Sequence, residues 1–346
     1  METRSVTLAQ LLAEEPAFRL RQAEAALFRA DWRSWDDVSV LPVSWRLKVS
    51  EAVSWLTLSQ IALLESIRHD TFKAILGTVD GRRIETVLMR NARGFWTICV
   101  SSEIGCAMAC TFCATGTMGF TRNLSADEIV DQYRFWMYFL AGRHDLEQRI
   151  SNIVYMGMGE PLANYENVKA SLLTLLTYTD MGPTRLTVST VGLIPMLRNI
   201  LTDETWPPVR LAVSLHSADA KTRMNIMPSS YPKFLDDLAG WTKSYFDKFE
   251  SRRRHLTFEY VMLAGVNDTP LHADKLIAFA RKVGKVKINL IPYNDTRSKY
   301  ATSESVALLA FEKRLLDARV DVTRRRTMGA DIAAACGQLI VEKKLI

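Results

Sequence analysis

Gly105-Cys106-Ala107-Met108-Ala109-Cys110-Thr111-Phe112-Cys113 is the stretch from which the rest of the chain is read. Three of the five cysteines stand here at C-x3-C-x2-C spacing. Thiols this close in sequence point to a metal centre more than to packing. Three thiolates hold three irons of a cubane 4Fe–4S cluster and leave the fourth iron open to a ligand, whereas electron-transfer clusters take four cysteines. A zinc knot is the alternative. Zinc asks for a fourth Cys or His close by, and none follows Cys113 within thirty residues.

Outward from this loop, strands and helices alternate. FWTICVS (95–101) reads as the strand that leads into it. NIVYMG (152–157), RLTVST (185–190), VRLAVSL (209–215), LTFEYVML (256–263) and VKINLI (286–291) read as further strands, with VDVTRRR as the last. Helical stretches separate them, and the first opens on Ser125-Ala126-Asp127-Glu128, the S-x-x-E form of a capping box. This β-then-α rhythm predicts a parallel sheet. About six repeats suit an α/β fold of the partial (β/α)6 barrel type. Gly157-Met158-Gly159-Glu160-Pro161, Ser189, Ser214-Leu215-His216 and Asn294 all fall just after strands, as the cysteine loop does. That is the face on which α/β barrels build their active sites, so loops distant in sequence are expected to converge on one pocket.

Before the barrel, residues 1–70 are rich in Ala, Leu, Glu and Arg with helical apolar spacing, including VSEAVSWLTLSQIALLESI. They read as a small helical accessory domain, with Trp32, Trp35, Trp45 and Trp55 in its core. Residues 71–94 read as a linking β-hairpin around Asp80-Gly81, and residues 95–346 as the barrel domain. With 346 residues, 48% hydrophobic and 24% charged, the composition is that of a soluble globular protein. No apolar run approaches the roughly 20 residues of a membrane span, and the N-terminus lacks a signal core. Five cysteines do not make a disulfide scaffold, so a reducing, cytoplasmic setting is expected. A net charge of +6 permits a polyanionic partner without requiring one.

Taken singly, most of these residues have plainer readings. Gly159 and Glu160 suit a ligand-hugging turn or a simple strand–helix turn. Ser189, Ser214 and Asn294 could bind a nucleoside or form turns. His216 could be a structural histidine, and Glu85 a strand residue beside Arg82, Arg83 and Arg90. Cys99 and Cys336 could be small buried hydrophobes. The basic groups Arg82–Arg83, Arg252-Arg253-Arg254, Lys282/Lys285/Lys287 and Arg324-Arg325-Arg326 suit RNA phosphates or a solvated surface.

The C-x3-C-x2-C loop, with an aromatic before its last cysteine, resembles the signature of radical S-adenosylmethionine (SAM) enzymes. TICVSSEIGCAMACTFCATGTMGFTRNL, VYMGMGEPLANYENV, AVSLH, INLIPYN and DIAAACGQL together resemble the RlmN/Cfr family, which methylates an adenine ring carbon in RNA. The resemblance runs from about residue 80 to 340. It implies a radical SAM barrel with a 4Fe–4S cluster on Cys106, Cys110 and Cys113. SAM would be bound by Gly159, Glu160, Ser189, Ser214, Leu215, His216 and Asn294. It implies an RNA-binding role for the helical domain. It also gives the remaining cysteines separate tasks. Cys336 takes a methyl group from one SAM, and a radical from a second SAM converts that group into a carbon radical that adds to adenine. Glu85 is the base for the ring proton. Cys99 resolves the adduct by forming a disulfide with Cys336. Such chemistry suits C2, an electron-poor carbon that is no nucleophile. The rival is C8 methylation by the same machinery, and a further one is a radical SAM enzyme acting on another substrate. The implied partners are rRNA, tRNA beside the anticodon, and a low-potential donor such as flavodoxin or ferredoxin. No membrane is expected, and the chain is expected to be a monomer.

Overall fold

The structure, a computed structural model, describes residues 3–249, 255–284 and 286–340. Arg252, Arg253, Arg254 and Lys285, named above as possible RNA contacts, lie outside the described residues. Three short helices come first: α1 (Arg4–Leu11), α2 (Ala17–Ala26) and α3 (Val43–Ala52). They enclose a small core of their own around Leu8, Leu27, Trp35 and Val49, with Trp32, Trp45 and Trp55 packed at its margin.

The chain then enters one large sheet. Strands β1 (Leu58–Glu65), β2 (Thr71–Thr78), β3 (Arg83–Arg90) and β4 (Trp96–Cys99) pair antiparallel in sequence order. The hairpin predicted around Asp80-Gly81 joins β2 to β3, with Gly81 at φ 75° and its N–H donating to the Thr78 carbonyl. A separate two-stranded ribbon, β5 (Glu103–Gly105) and β6 (Phe120–Asn123), brackets the cysteine loop. From β4 the sheet continues parallel through β7 (Ile150–Tyr155), β8 (Leu186–Thr190), β9 (Arg210–Ser214), β10 (Leu256–Met262), β11 (Lys287–Pro292) and β12 (Asp321–Arg324). The helices α4 (Ala126–Ala141), α5 (Tyr165–Tyr178), α6 (Ile194–Thr202), α7 (Ala220–Ile226), α8 (Phe234–Lys248), α9 (Pro270–Val283) and α10 (Ser305–Asp317) fill the crossovers. Ser125 caps α4 as its motif predicts: its side chain accepts from Glu128 N–H, and the Glu128 carboxylate accepts from Ser125 N–H.

The α/β partial-barrel expectation is therefore met, since β12 and β1 are the two free edges of a sheet that does not close. One element differs. Residues 58–65, read as helical, form the edge strand β1. Its register shifts between Gln60 and Ala62. A bulge of this kind breaks the two-residue alternation by which a strand is recognised, and the unpaired ladder of β2 supplies the partner. Among the described residues, no helix is long and apolar enough to cross a membrane.

Candidate active site

Two adjoining cavities occupy the space inside the curved sheet. The first lies at the carboxyl ends of the parallel strands. Cys106, Cys110, Cys113, Gly159, Glu160, Ser189, Ser214, His216, Asn294 and Cys336 all line it. Loops after β4, β7, β8, β9 and β11 converge there as expected. The second runs towards the amino ends and holds Cys99 on its wall. Met156, Ile291, Asn294, Arg325 and Cys336 border both. Cys99 and Cys336, 237 positions apart in sequence, thus face one continuous space.

Burial raises the thiols: Cys106 to about 12, Cys99 to about 12 and Cys336 to about 11, with Arg325 opposing the rise at the last two. Cys110 moves the same way for the same reason. Cys336 is open to the cavity while protein surrounds it, which reconciles its accessible surface with its desolvation. All five cysteines are free. The implied Cys99–Cys336 disulfide is therefore not a feature of this state. The Cys336 segment is instead held by Asn294, whose Nδ2 donates to the Cys336 carbonyl at 3.1 Å, and by the cysteine loop, where Ala114 N–H donates to the Gly337 carbonyl at 2.7 Å.

The three loop thiols share one cavity wall, and their proximity adds to the rise at Cys106 and Cys110. Among the described residues, no three Cys, His, Asp or Glu side chains surround a point that one metal ion could occupy. Three thiols on one cavity wall can each bind a different iron of a cubane.

Glu160 is buried, and burial raises its carboxyl to about 7. Its two oxygens accept from Leu162 N–H at 2.9 Å and Val191 N–H at 2.7 Å. Gly159 precedes it at φ 100°. A Cβ there would lie 2.6 Å from Glu103 Cβ, so the turn takes only glycine. His216 is buried and its ring is driven down to about 3, first by desolvation and then by Arg223. It is therefore neutral. Its Nδ1 accepts from Val261 N–H, which leaves Nε2 as the donor, and the ring stands edge-on to Phe112 at 4.9 Å.

Two residues named from the sequence stand back from both cavities. Leu215 is fully buried and contributes backbone: its N–H donates to the Glu259 carbonyl, and its carbonyl accepts from Arg223 Nε at 3.0 Å. Glu85 is also buried. It pairs with Lys73 at 3.2 Å and accepts from Ile340 N–H at 3.1 Å. It shares a sheet face with Cys99, because Cys99 registers with Val87 two residues along β3.

Sequence reading missed several residues of the site. Glu103 accepts from Glu160 N–H at 2.8 Å, and burial raises its carboxyl to about 7. Arg223 ties Val191, Ser214 and Leu215 together under the cavity. Glu259 and Arg325 form a lumenal ion pair at 3.1 Å. In the sequence Arg325 stands out only as one of a basic run. Its neighbour Arg324 pairs with Glu312, Lys282 with Asp236, and Lys287 with Asp321, so the basic runs serve the fold as well as the surface.

Residues 103–277 match the family model of the radical SAM superfamily. The chain is 38% identical to a dual-specificity RNA methyltransferase RlmN of Syntrophobacter fumaroxidans, over 95% of this chain and 93% of that protein. It is 40% identical to the RlmN of Desulfotalea psychrophila, over 95% and 90%. A radical SAM methyltransferase from Sphaerobacter thermophilus superposes with a TM-score of 0.88 at 35% identity, over 98% of this chain and 99% of that one. A 4Fe–4S cluster and SAM are the cofactors of this superfamily, and the loop thiols fit the first. Taken with a cavity that joins this loop to Cys99 and Cys336, these likenesses make the chain a member of the RlmN family of radical SAM RNA methyltransferases.

Proposed function

We propose that the chain methylates C2 of an adenosine in RNA, in 23S-type rRNA and in tRNA beside the anticodon, through a methyl group carried on Cys336. The observation that carries this reading is the position of Cys336 on the border between the cysteine-loop cavity and the cavity of Cys99. The name of the relatives, dual-specificity RNA methyltransferase, supports the RNA substrate.

Cys106, Cys110 and Cys113 hold the cluster. Glu160, through the lone pairs its backbone donors leave free, accepts from the amino group of SAM. Ser189, Ser214, the His216 Nε2–H and Asn294 surround the rest of that ligand, with Gly159 contributing backbone and Leu215, tied to Glu259 and Arg223, setting Ser214 and His216 in place from behind. When bound, these cofactors supply a methyl group and a hydrogen-abstracting radical. The Cys336 sulfur takes the methyl group as a thiolate, and Arg325 favours that ionised form. Glu85 accepts the proton that leaves the ring. Cys99 then attacks the Cys336 sulfur. The sulfur–carbon bond breaks, its electron pair and a proton complete the methyl group of the released base, and the disulfide that forms is reopened by a dithiol reductant. An adenine inside folded RNA must be extruded to reach this depth. Residues 1–70 act as the accessory RNA-binding part. C8 methylation by the same residues is the second reading.

The test is anaerobic reconstitution with unmodified RNA transcripts. 5′-Deoxyadenosine is measured alongside methyladenosine, and mass spectrometry of digested RNA separates the C2 from the C8 product. Wild type is expected to form 2-methyladenosine, and Cys336→Ala to form none while holding as much iron. Methylation by Cys336→Ala would end the proposal.

A further inference from the structure

The second cavity has a wall that the chemistry above leaves unused. It encloses about 950 Å³ and opens at the amino ends of the parallel strands, opposite the cysteine loop. Arg90, Arg93, Arg185 and Arg210 line it, and among the described residues none of the four pairs with a carboxylate. Arg185 ends the turn before β8, and Arg210 is the first residue of β9. Arg210 Nε is buried without a hydrogen-bond partner. Buried polar groups are normally satisfied, so an orphaned guanidinium donor beside a second cation is a cost that an anion would relieve. The neighbours add to the field. Arg210 is lowered by burial and then by Arg185, and His255 by burial and then by Arg210 and Lys287.

Register connects this mouth to the chemistry. Cys99 pairs with Val154, Val154 with Thr187, and Thr187 with Arg210. All four residues line the second cavity, so they form one inward row across β4, β7, β8 and β9. At about 4.8 Å per strand the row is about 14 Å long, and shorter across the curved interior. One extruded nucleotide spans that distance, with its phosphate at the arginines and its base at the thiols.

Resting on the RNA-methylation reading, we infer that the amino-terminal mouth of the barrel is the face by which RNA approaches, with Arg185 and Arg210 clamping the phosphodiesters that flank the extruded adenosine. Arg90 and Arg93, at the β3–β4 turn, extend the same track. Arginine suits this task because its planar fork matches phosphate and it stays charged. Cofactor and RNA then reach Cys336 from opposite ends of one lumen.

The experiment titrates a fluorescein-labelled, unmodified RNA hairpin with an adenine in its loop against the oxygen-protected full chain, at several salt concentrations between about 50 and 200 mM. Each lost phosphate contact to single-stranded RNA lowers the slope of log affinity against log salt by about 0.7. Arg185→Gln with Arg210→Gln is expected to lower it by about 1.4 and to weaken binding about tenfold or more at the lower salt. Arg185→Lys with Arg210→Lys is expected to keep most of the slope, because it keeps the charge. Arg93→Gln sits on an exposed turn that burial does not hold, so it reports even where the double variant fails to fold, with an expected loss of about 0.7. An unchanged slope in both glutamine variants overturns the inference, as does a lysine pair that loses as much as the glutamine pair. If wild type binds and methylates RNA and the glutamine variants match it, only this inference falls. If wild type binds no RNA at any salt, the RNA-methylation reading falls first and takes this inference with it.

Discussion

Gly159 tolerates no side chain, for two independent reasons. Its φ of 100° lies in the left-handed half of backbone space, and a Cβ would meet Glu103 Cβ, Cγ and N at 2.6 to 2.8 Å. Gly159→Ala is expected to destabilise the fold by about 1–3 kcal/mol, seen as a lower thermal midpoint. It should also weaken SAM binding, because the strain moves Glu160 and Glu103 together. At Cys99 the expectation concerns product and not stability. Without its sulfur nothing attacks Cys336, so Cys99→Ala is expected to accumulate a covalent protein–RNA adduct, detected as a ribonuclease-sensitive band that survives denaturing electrophoresis. A variant that releases methylated RNA at the wild-type rate would remove Cys99 from the reaction. The cysteines were legible in the sequence because few other roles fit three thiols at that spacing. Glu103 and Arg325 were not. Their significance lies in what faces them, namely Glu160 N–H at 2.8 Å and Glu259 at 3.1 Å, and those partners are brought close only by the sheet.

Helix α4 docks the N-terminal helices onto the barrel through two carboxylates, Asp127, which accepts from Arg4 N–H at 2.6 Å, and above all Asp131. Asp131 is fully buried and accepts from Arg4 at 2.6 Å, Arg134 at 2.6 Å and Thr57 N–H at 2.7 Å. Arg134 in turn donates to the Leu27 carbonyl at 2.7 Å. Removing the charge leaves two guanidiniums buried without their counterion, so Asp131→Asn is expected to cost about 3–5 kcal/mol, measured by denaturant unfolding. Burial pushes the Asp131 carboxyl up, but the two arginines outweigh it and hold it below the ordinary carboxylate range. Its folded pKa is thus lower than its unfolded value of about 3.9. The stabilisation is complete above that value and is lost only as pH falls through the folded one. Amide-exchange protection of α1 is therefore expected to hold from neutral pH down to about pH 4 and to decline progressively below it. Loss of protection near pH 6 would assign the dock to another group. The barrel strands and α4 were legible because each carries unbroken periodicity or a capping box. Strand β1 was not, because its bulge erases the alternation and its pairing partner, not its own pattern, makes it a strand.

At the scale of the whole molecule, the C-terminal segment closes what the sheet leaves open. Towards the β1–β3 side, Asp331 accepts from Ile67 N–H at 2.8 Å, Lys73 Nζ donates to the Ala333 carbonyl at 3.1 Å, and Glu85 accepts from Ile340 N–H. Towards the β11 side, Asn294 donates to the Cys336 carbonyl and Gln338 donates to the Asp295 carbonyl at 2.8 Å. In between, Thr115 Oγ1 donates to the Leu339 carbonyl at 2.6 Å. Residues 331–340 therefore strap the two halves of the open sheet together and suspend Cys336 in the lumen. Sequence reading could assign Cys336 a task by resemblance, but a strap without a repeating pattern has no local signal. Lys73 is its most exposed dependence in energetic terms, because it is buried and joins the strap to Glu85 at once. Lys73→Met deletes both contacts, the ion pair to Glu85 and the hydrogen bond to the Ala333 carbonyl, at a cost of about 1–3 kcal/mol. The expected outcome is faster proteolytic cleavage at Arg324–Arg326 and a fall in methylation, with iron content per chain unchanged because the three loop cysteines keep their own supports. If Lys73→Met resists protease as wild type does and still methylates RNA, the segment is held by other contacts, and its role in aligning Cys336 belongs to Asn294 and the cysteine loop alone.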